Sequence, residues 1–183
     1  MNRNLTTRNK LSYKVLGFWS VIALLTLVFI GFVVVKYVEN KNVQTMNDIS
    51  NLKGEEVFQQ EGTYYVYIYS KVGIVVNDIP RGDNELERAA ELEETIVSYL
   101  TYAKRNKDAT KLYGMIVDVY ENSGSLVVGE QTTQTVNVTS YGGLKINTKD
   151  VPMLIKITGG RITNQFLKES DIREELQKAS NID

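Results

Sequence analysis

Residues 15–35, VLGFWSVIALLTLVFIGFVVV, are 21 consecutive residues without a charge, and only Ser20 and Thr26 among them are mildly polar. Wound as a helix rising about 1.5 Å per residue, they reach roughly 31 Å, enough to cross a hydrocarbon core of about 30 Å. A helix apolar on every face needs apolar surroundings on every side, and a chain of 183 residues is too short to wrap one in protein. A cleavable signal would have a shorter apolar core, about 7 to 15 residues, followed by small residues; VVVKYVEN follows here. Phe18 and Trp19 near the start and Tyr37 just past the end are amphipathic rings suited to the two interfaces. The run predicts a single membrane span.

Charge orients it. Arg3, Arg8, Lys10 and Lys14 precede the span without an acid among them, whereas Lys36, Lys41 and Lys53 after it are mixed with Glu39, Asp48 and Glu55. By the positive-inside rule the N-terminus is cytoplasmic and the remainder lies outside the cell. Setting those four bases aside leaves 17 bases against 22 acids, a weakly acidic body that argues against nucleic-acid binding, which needs a basic stripe. The chain then divides into a basic arm (1–14), the span (15–35), a polar, Asn-rich juxtamembrane spacer (36–54) and an outer domain (55–183). In the spacer Val43, Met46, Ile49 and Leu52 recur by threes, which fits a segment that turns helical near the domain or an amphipathic stretch on the bilayer.

The sequence has no Cys and no His. That excludes disulfides, a thiolate nucleophile, cysteine zinc sites and dithiol redox chemistry, together with the Ser-His-Asp triad and most transition-metal sites. The expectation is a protein without cofactor or metal, and a binding role instead of an enzyme.

The outer domain alternates strand and helix signals. Residues 55–60 suit the end of a first short helix; TYYVYIYS (63–70) is aromatic and β-branched and suits a central strand. Asp83 stands as an N-cap for a long helix whose Leu86, Ala89, Leu92, Ile96, Leu100 and Ala103 make one apolar face, with Lys104, Arg105 and Lys107 at its C-terminal end. A second buried strand follows at 112–119 in KLYGMIVDVYEN. Residues 123–150, with four glycines among Thr and Asn, read as loop with short edge strands. VPMLIKITGGRITNQFL reads as a hairpin turning at Gly159-Gly160, and Asp171 opens a closing helix.

Two strands joined through a long helix, a hairpin opened by Val-Pro and a terminal helix resemble a thioredoxin domain, over about residues 63–179. The chain is similar to membrane-anchored thioredoxin-like proteins of Gram-positive bacteria, so the expected fold is α/β with a mixed sheet after one N-terminal transmembrane helix. The resemblance implies a cis bond at Val151-Pro152. It also places the redox motif after the first strand, where similar proteins read roughly Tyr-Ser-x-x-Cys-x-x-Cys; here Tyr69-Ser70-Lys71-Val72-Gly73-Ile74-Val75-Val76 puts Gly73 and Val76 at the cysteine positions. The buried acid of many thioredoxins falls near Tyr67. What is implied is the scaffold without oxidoreductase activity.

A surface that holds substrates can still hold a polypeptide. In thioredoxin folds the residue before the cis proline pairs its backbone with an extended peptide, which needs no sulfur. The candidate partner-binding patch is therefore Val72, Gly73 and Ile74 with Val151 and Pro152; packing of residues 72–76 into the core is the competing reading. The expected partners are the lipid bilayer and an extracytoplasmic peptide or membrane protein, with bacteriocin or peptide export as the concrete setting. The alternative is an enzyme in which carboxylates such as Asp118 and Glu121 meet in a pocket, or an oxygen-ligated cation at Asp78, Asp83, Asn84 and Glu85, which lack the EF-hand pattern. Arg81-Gly82-Asp83 is better explained by the helix cap than as a recognition tripeptide, and the acids of the long helix read as a solvated face.

Overall fold

The computed structural model describes residues 12–42, 44–76, 79–80, 85–129 and 131–180, and the chain forms two compact units, residues 1–42 and 43–183. Arg3, Arg8 and Lys10 of the basic arm, Asp83 and the Arg-Gly-Asp triplet lie outside the described residues.

The first unit is helix α1 (Tyr13–Asn42). Its segment Tyr13–Val38 has a mean hydropathy of 2.7 with none of it buried, so it is long and apolar enough to cross a membrane. The two hydroxyls in the apolar run are satisfied within the helix: Ser20 donates to the Leu16 carbonyl and Thr26 to that of Ile22, each at 2.9 Å. The helix overruns the apolar run because residues 36–42, KYVENKN, contain neither Gly nor Pro to stop it.

The second unit is built on β1 (Thr63–Tyr69). After β1 come the two-residue strands β2 (Val75–Val76) and β3 (Ile79–Pro80), paired antiparallel, and then α2 (Glu85–Arg105). Next are β4 (Lys111–Ile116), the short α3 (Tyr120–Ser123), β5 (Leu126–Val127) and β6 (Ile146–Asn147), which pair parallel. The chain closes with β7 (Met153–Thr158), β8 (Arg161–Phe166) and α4 (Glu169–Ser180). The main sheet runs β4-β1-β7-β8. β4 lies parallel to β1, with Tyr69 opposite Ile116; β7 is antiparallel to β1 and β8 to β7. A central strand with a parallel neighbour reached through a long helix, an antiparallel hairpin on its other side and a terminal helix is the expected thioredoxin-like mixed α/β fold.

Every residue of β1 except Thr63 is buried, which follows from cover on both sheet faces. Successive side chains alternate between the faces. Tyr65, Tyr67 and Tyr69 pack with Leu92, Ile96 and Tyr99 of α2 and Ile172 and Leu176 of α4. Tyr64, Val66 and Ile68 face Met115, Ile155 and Ile157 of neighbouring strands and Leu144 and Ile146 of the long connection. Each such side chain contributes about 1.5–3 kcal/mol when fully buried. Polar side chains order the connection where a ladder is absent: the Asn147 amide donates to the Gly129 and Gln131 carbonyls, both at 2.8 Å, and Asp150 accepts from the Thr133 N–H at 2.6 Å.

Three expectations are corrected. Residues 44–54 are not a spacer: the Gln44 N–H donates to Thr101 Oγ1, Ile49 and Leu52 are buried, and the chain pairs with the outer edge of β4. There the Gly114 N–H donates to the Ser50 carbonyl at 2.9 Å and the Leu52 N–H to that of Gly114 at 2.8 Å. A Cβ on Gly114 would lie 2.3 Å from Asn51 Oδ1, so a larger residue there would have to displace the Asn51 side chain. The first helix is a 3-10 turn, Gly54–Phe58, that buries Val57 and Phe58. Leu86 is 45% exposed, because the side chain that α2's first turn directs inward is Glu85, at 4%.

Candidate functional site

The turn after β1 follows from the register of β1 and β4. With Tyr69 opposite Ile116 and the Val117 N–H donating to the Tyr69 carbonyl at 3.0 Å, the next residues, Lys71 and Asp118, come level. Asp118 Oδ2 accepts the N–H groups of Lys71 at 2.5 Å and Val72 at 3.1 Å. Its Oδ1 accepts the Ser70 hydroxyl at 2.8 Å, and Ser70 Oγ in turn accepts the Gly73 N–H at 2.8 Å. Glu85 Oε1 accepts the Ile74 N–H at 2.8 Å. Four consecutive amides are thus capped by three side chains from β1's end, β4's end and the start of α2. Hydrogen bonds of this kind to a charged acceptor contribute about 1.5–3 kcal/mol each.

Gly73 stands where the first cysteine of a redox motif would stand, and its φ is +90°. An L side chain rarely adopts that backbone conformation, so the turn is shaped for glycine and is not a redox loop with its thiols simply replaced. Val76, the second position, lies in β2.

The structure separates the five predicted patch residues. Val72 is 77% exposed and Gly73 partly so, whereas Ile74, Val151 and Pro152 are buried; Ile74 and Val151 share one core cluster. The Val151–Pro152 bond is cis. Both polar backbone groups of Val151 have partners inside the domain: its N–H reaches the Thr148 carbonyl at 3.4 Å, and its carbonyl accepts from the Arg88 guanidinium at 3.2 Å. Arg88 also donates to the carbonyls of Lys149 at 3.0 Å and Leu167 at 3.1 Å and forms an ion pair with Glu169. Burial pushes the Glu169 carboxyl up, but Arg88 outweighs it and holds the group below the usual carboxylate range. One side chain on α2 therefore ties the segment around Pro152 to the start of α4.

Among the described residues the exposed apolar side chains at the turn are Val72 and Leu86. Leu86 Cδ1 lies 3.7 Å from where a Cβ on Gly73 would be. Tyr120, two residues beyond Asp118, is 90% exposed. Val72 comes from the sequence reading; Leu86 does not, since helical periodicity assigns it to the core. Asp118, Glu85 and Arg88 carry no motif. The usable signal for Asp118 is that two parallel strands end in register, one in Ser-Lys and the other in Val-Asp.

Asp118 and Glu121 do not converge. Asp118 is spent on the turn, and Glu121 pairs with Lys53 at 3.1 Å on the surface, where its own backbone N–H and that lysine lower its carboxyl from the ordinary value. No group of three metal-ligating side chains occurs among the described residues. Tyr67, near the position that the resemblance gives the thioredoxin acid, is buried and stacks on Tyr69 with centroids 5.1 Å apart; its hydroxyl has no hydrogen-bond partner among the described residues, and burial drives its ionisation far above the ordinary value. A cleft of about 330 Å³ between α2 and α4, crossed by Arg173 donating to Thr95 Oγ1 at 3.1 Å, is lined by polar side chains together with Tyr99 and Leu176 and involves none of the turn residues.

No protein-family model matches the chain, and no curated protein matches it. Among solved structures it is similar to a yeast mitochondrial 1-Cys peroxiredoxin studied for its thiol resolving mechanism via glutathione/thioredoxin systems, with a TM-score of 0.44 and 6% identity over 74% of this chain and 99% of that one. The thioredoxin-like assignment rests on the strand order, the pairing directions and the helix placement described above.

Proposed function

We propose that the chain is a single-span membrane protein, N-terminus cytoplasmic, that holds a redox-inactive thioredoxin-like domain outside the cell and binds an exported peptide or a neighbouring membrane protein as an accessory factor. The observation that carries this reading is the turn after β1. Where a thioredoxin displays its thiols, this chain has a glycine at positive φ and a fully capped backbone that leaves Val72 outermost beside Leu86. A rigid turn with exposed apolar side chains suits recognition, since little conformational freedom remains to be lost on binding. The span's length and hydropathy and the bases before it support the anchoring and its direction. The likeness to anchored proteins of Gram-positive bacteria makes peptide or bacteriocin export the setting to examine first.

Because Val151 is buried with both backbone groups engaged, the contact surface in this reading centres on Val72, Gly73 and Leu86. The test is photo-crosslinking in the native membrane with the probe at Val72 or Leu86 and a control at Glu91, an exposed residue on α2. A discrete partner captured at Val72 and Leu86 but not at Glu91 supports the proposal. Capture at Glu91 alone, or at none of the three, refutes this surface.

A further inference from the structure

We infer that the basic end of the outer domain, made by Lys104, Arg105, Lys107 and Lys111, docks on acidic phospholipid headgroups of the membrane that α1 crosses. This inference rests on the reading of α1 as a span. Chain length brings that end to the bilayer. Tyr13–Val38 is the apolar segment, α1 continues to Asn42, and the backbone N–H of Gln44 is already held by Thr101 Oγ1 of α2 at 3.0 Å. Four helical steps and two extended residues cover about 13 Å, so Gln44 stays within about that distance of the end of the apolar segment whatever the angle between helix and domain. Lys104 and Arg105 follow Thr101 by three and four residues and so share its part of the α2 surface.

Charge fits the same occupant. All four bases are exposed, and none of them forms an ion pair among the described residues. The α2 dipole accounts for Lys104 and Arg105 in its last turn but not for Lys111, six residues past the helix on β4. The acids beside them are Asp108 and Asp48, the latter held below its ordinary value first by the Thr45 N–H, then by the Thr45 hydroxyl and least by Lys104. Four bases less two acids leave two uncompensated, and at about fivefold per base near an anionic surface the docked arrangement is favoured about thirtyfold. Along α2 the charges separate: Glu85, Glu87, Glu91, Glu93 and Glu94 stand against Arg88 in its first half, and no acid occurs between Glu94 and Asp108. An anionic surface attracts one end and repels the other. Docking by the basic end leaves Glu85, and the turn that it caps, about 30 Å along α2 from Arg105.

The chain has no cysteine, so Asn106→Cys and Val72→Cys each place a single dye on the full chain, beside the bases or at the turn. The labelled chain is reconstituted into vesicles of phosphatidylcholine alone or mixed in equal parts with phosphatidylglycerol, with a quencher on a trace of the lipid headgroups. Quenching at position 106 should be about threefold stronger or more with phosphatidylglycerol, and about 0.5 M salt should remove most of that difference. Replacing all four bases by Gln should return it to the phosphatidylcholine level, and position 72 should show no dependence on lipid charge. Equal quenching at position 106 in the two lipids overturns the inference, as does a phosphatidylglycerol effect that survives the salt or the four substitutions. A chain that fails to float with the vesicles refutes the span and this inference with it, whereas a chain that floats without a lipid-charge effect refutes the docking alone. If circular dichroism shows the four-base variant to be unfolded, Lys107→Gln with Lys111→Gln, both outside α2, decides: a reduced phosphatidylglycerol effect sustains the inference, and an unchanged one refutes it.

Discussion

Tyr67 offers a sharp test of how this core is built, because the structure predicts that removing its hydroxyl strengthens the fold. The residue is 1% exposed, stacks on Tyr69 at an interplanar angle of 15°, and its hydroxyl oxygen has no hydrogen-bond partner among the described residues. A buried hydroxyl left without a partner costs about 1–3 kcal/mol. Tyr67→Phe keeps the ring and its stacking and leaves a void of roughly one oxygen atom, on the order of 15 Å³, which at about 24 cal/mol per Å³ costs about 0.4 kcal/mol. The net expectation is a stabilisation of about 1 kcal/mol, seen as a higher urea midpoint at unchanged slope, or a melting temperature raised by about 3 °C for a domain of this size. Circular dichroism of the full chain in a mild detergent follows the transition. Tyr65→Phe is the control with the opposite sign: its hydroxyl donates to Glu175 at 2.6 Å, so its loss should cost about 1–2 kcal/mol. If Tyr67→Phe destabilises as much as Tyr65→Phe, the Tyr67 hydroxyl has a partner and the reasoning fails.

Three further expectations follow from the same contacts. Arg88→Ala removes hydrogen bonds to three carbonyls and the ion pair with Glu169 and should lower stability by about 2–3 kcal/mol; Arg88→Lys, which keeps the charge but not the fork, should recover less than half in the same denaturation assay. Glu175 is pushed up by burial, but Tyr65 and Lys156 outweigh that and depress its folded value below 4.5. A depressed carboxylate adds stability above its unfolded value that is lost as pH falls through its folded one, so acid unfolding measured between pH 5 and 2 should be flatter in Glu175→Gln. Because the chain has no cysteine, Glu91→Cys and Lys14→Cys give single labels for topology. A membrane-impermeant maleimide should modify position 91 and not position 14 in intact cells, and the reverse result would invert the proposed orientation.

Elements whose residues carry their own periodicity were legible in the sequence. The uncharged run gave the long helix, the aromatic and β-branched run through 63–69 gave β1, and Gly159-Gly160 between two β-branched runs gave the β7–β8 turn, where both glycines have positive φ. Boundaries set by long-range contact were not. Nothing local marks 50–52 as a strand-like edge, because its pairing is made with Gly114, more than sixty residues away in the chain. Residues 55–60 suit the end of a helix by sequence because Val57 and Phe58 fit either period over so short a span, and the structure makes the segment a 3-10 turn, Gly54–Phe58.

The site divides along the same line. Missing thiols are a fact of composition, so the loss of redox chemistry could be argued from residue types alone, and Val72 could be named by its offset from β1. What the turn does with its backbone could not. Leu86 fits the apolar stripe of α2 by spacing and nevertheless faces outward, while Glu85, an acid that patterning sends to solvent, turns in to meet the Ile74 amide. Four peptide N–H groups need acceptors at the end of β1, and this demand outweighs side-chain hydropathy at the first turn of α2. Binary patterning weighs side chains and is blind to unpaired backbone groups, so a chain's exceptions to it gather where the backbone leaves regular structure. In this domain that place is the turn presenting Val72.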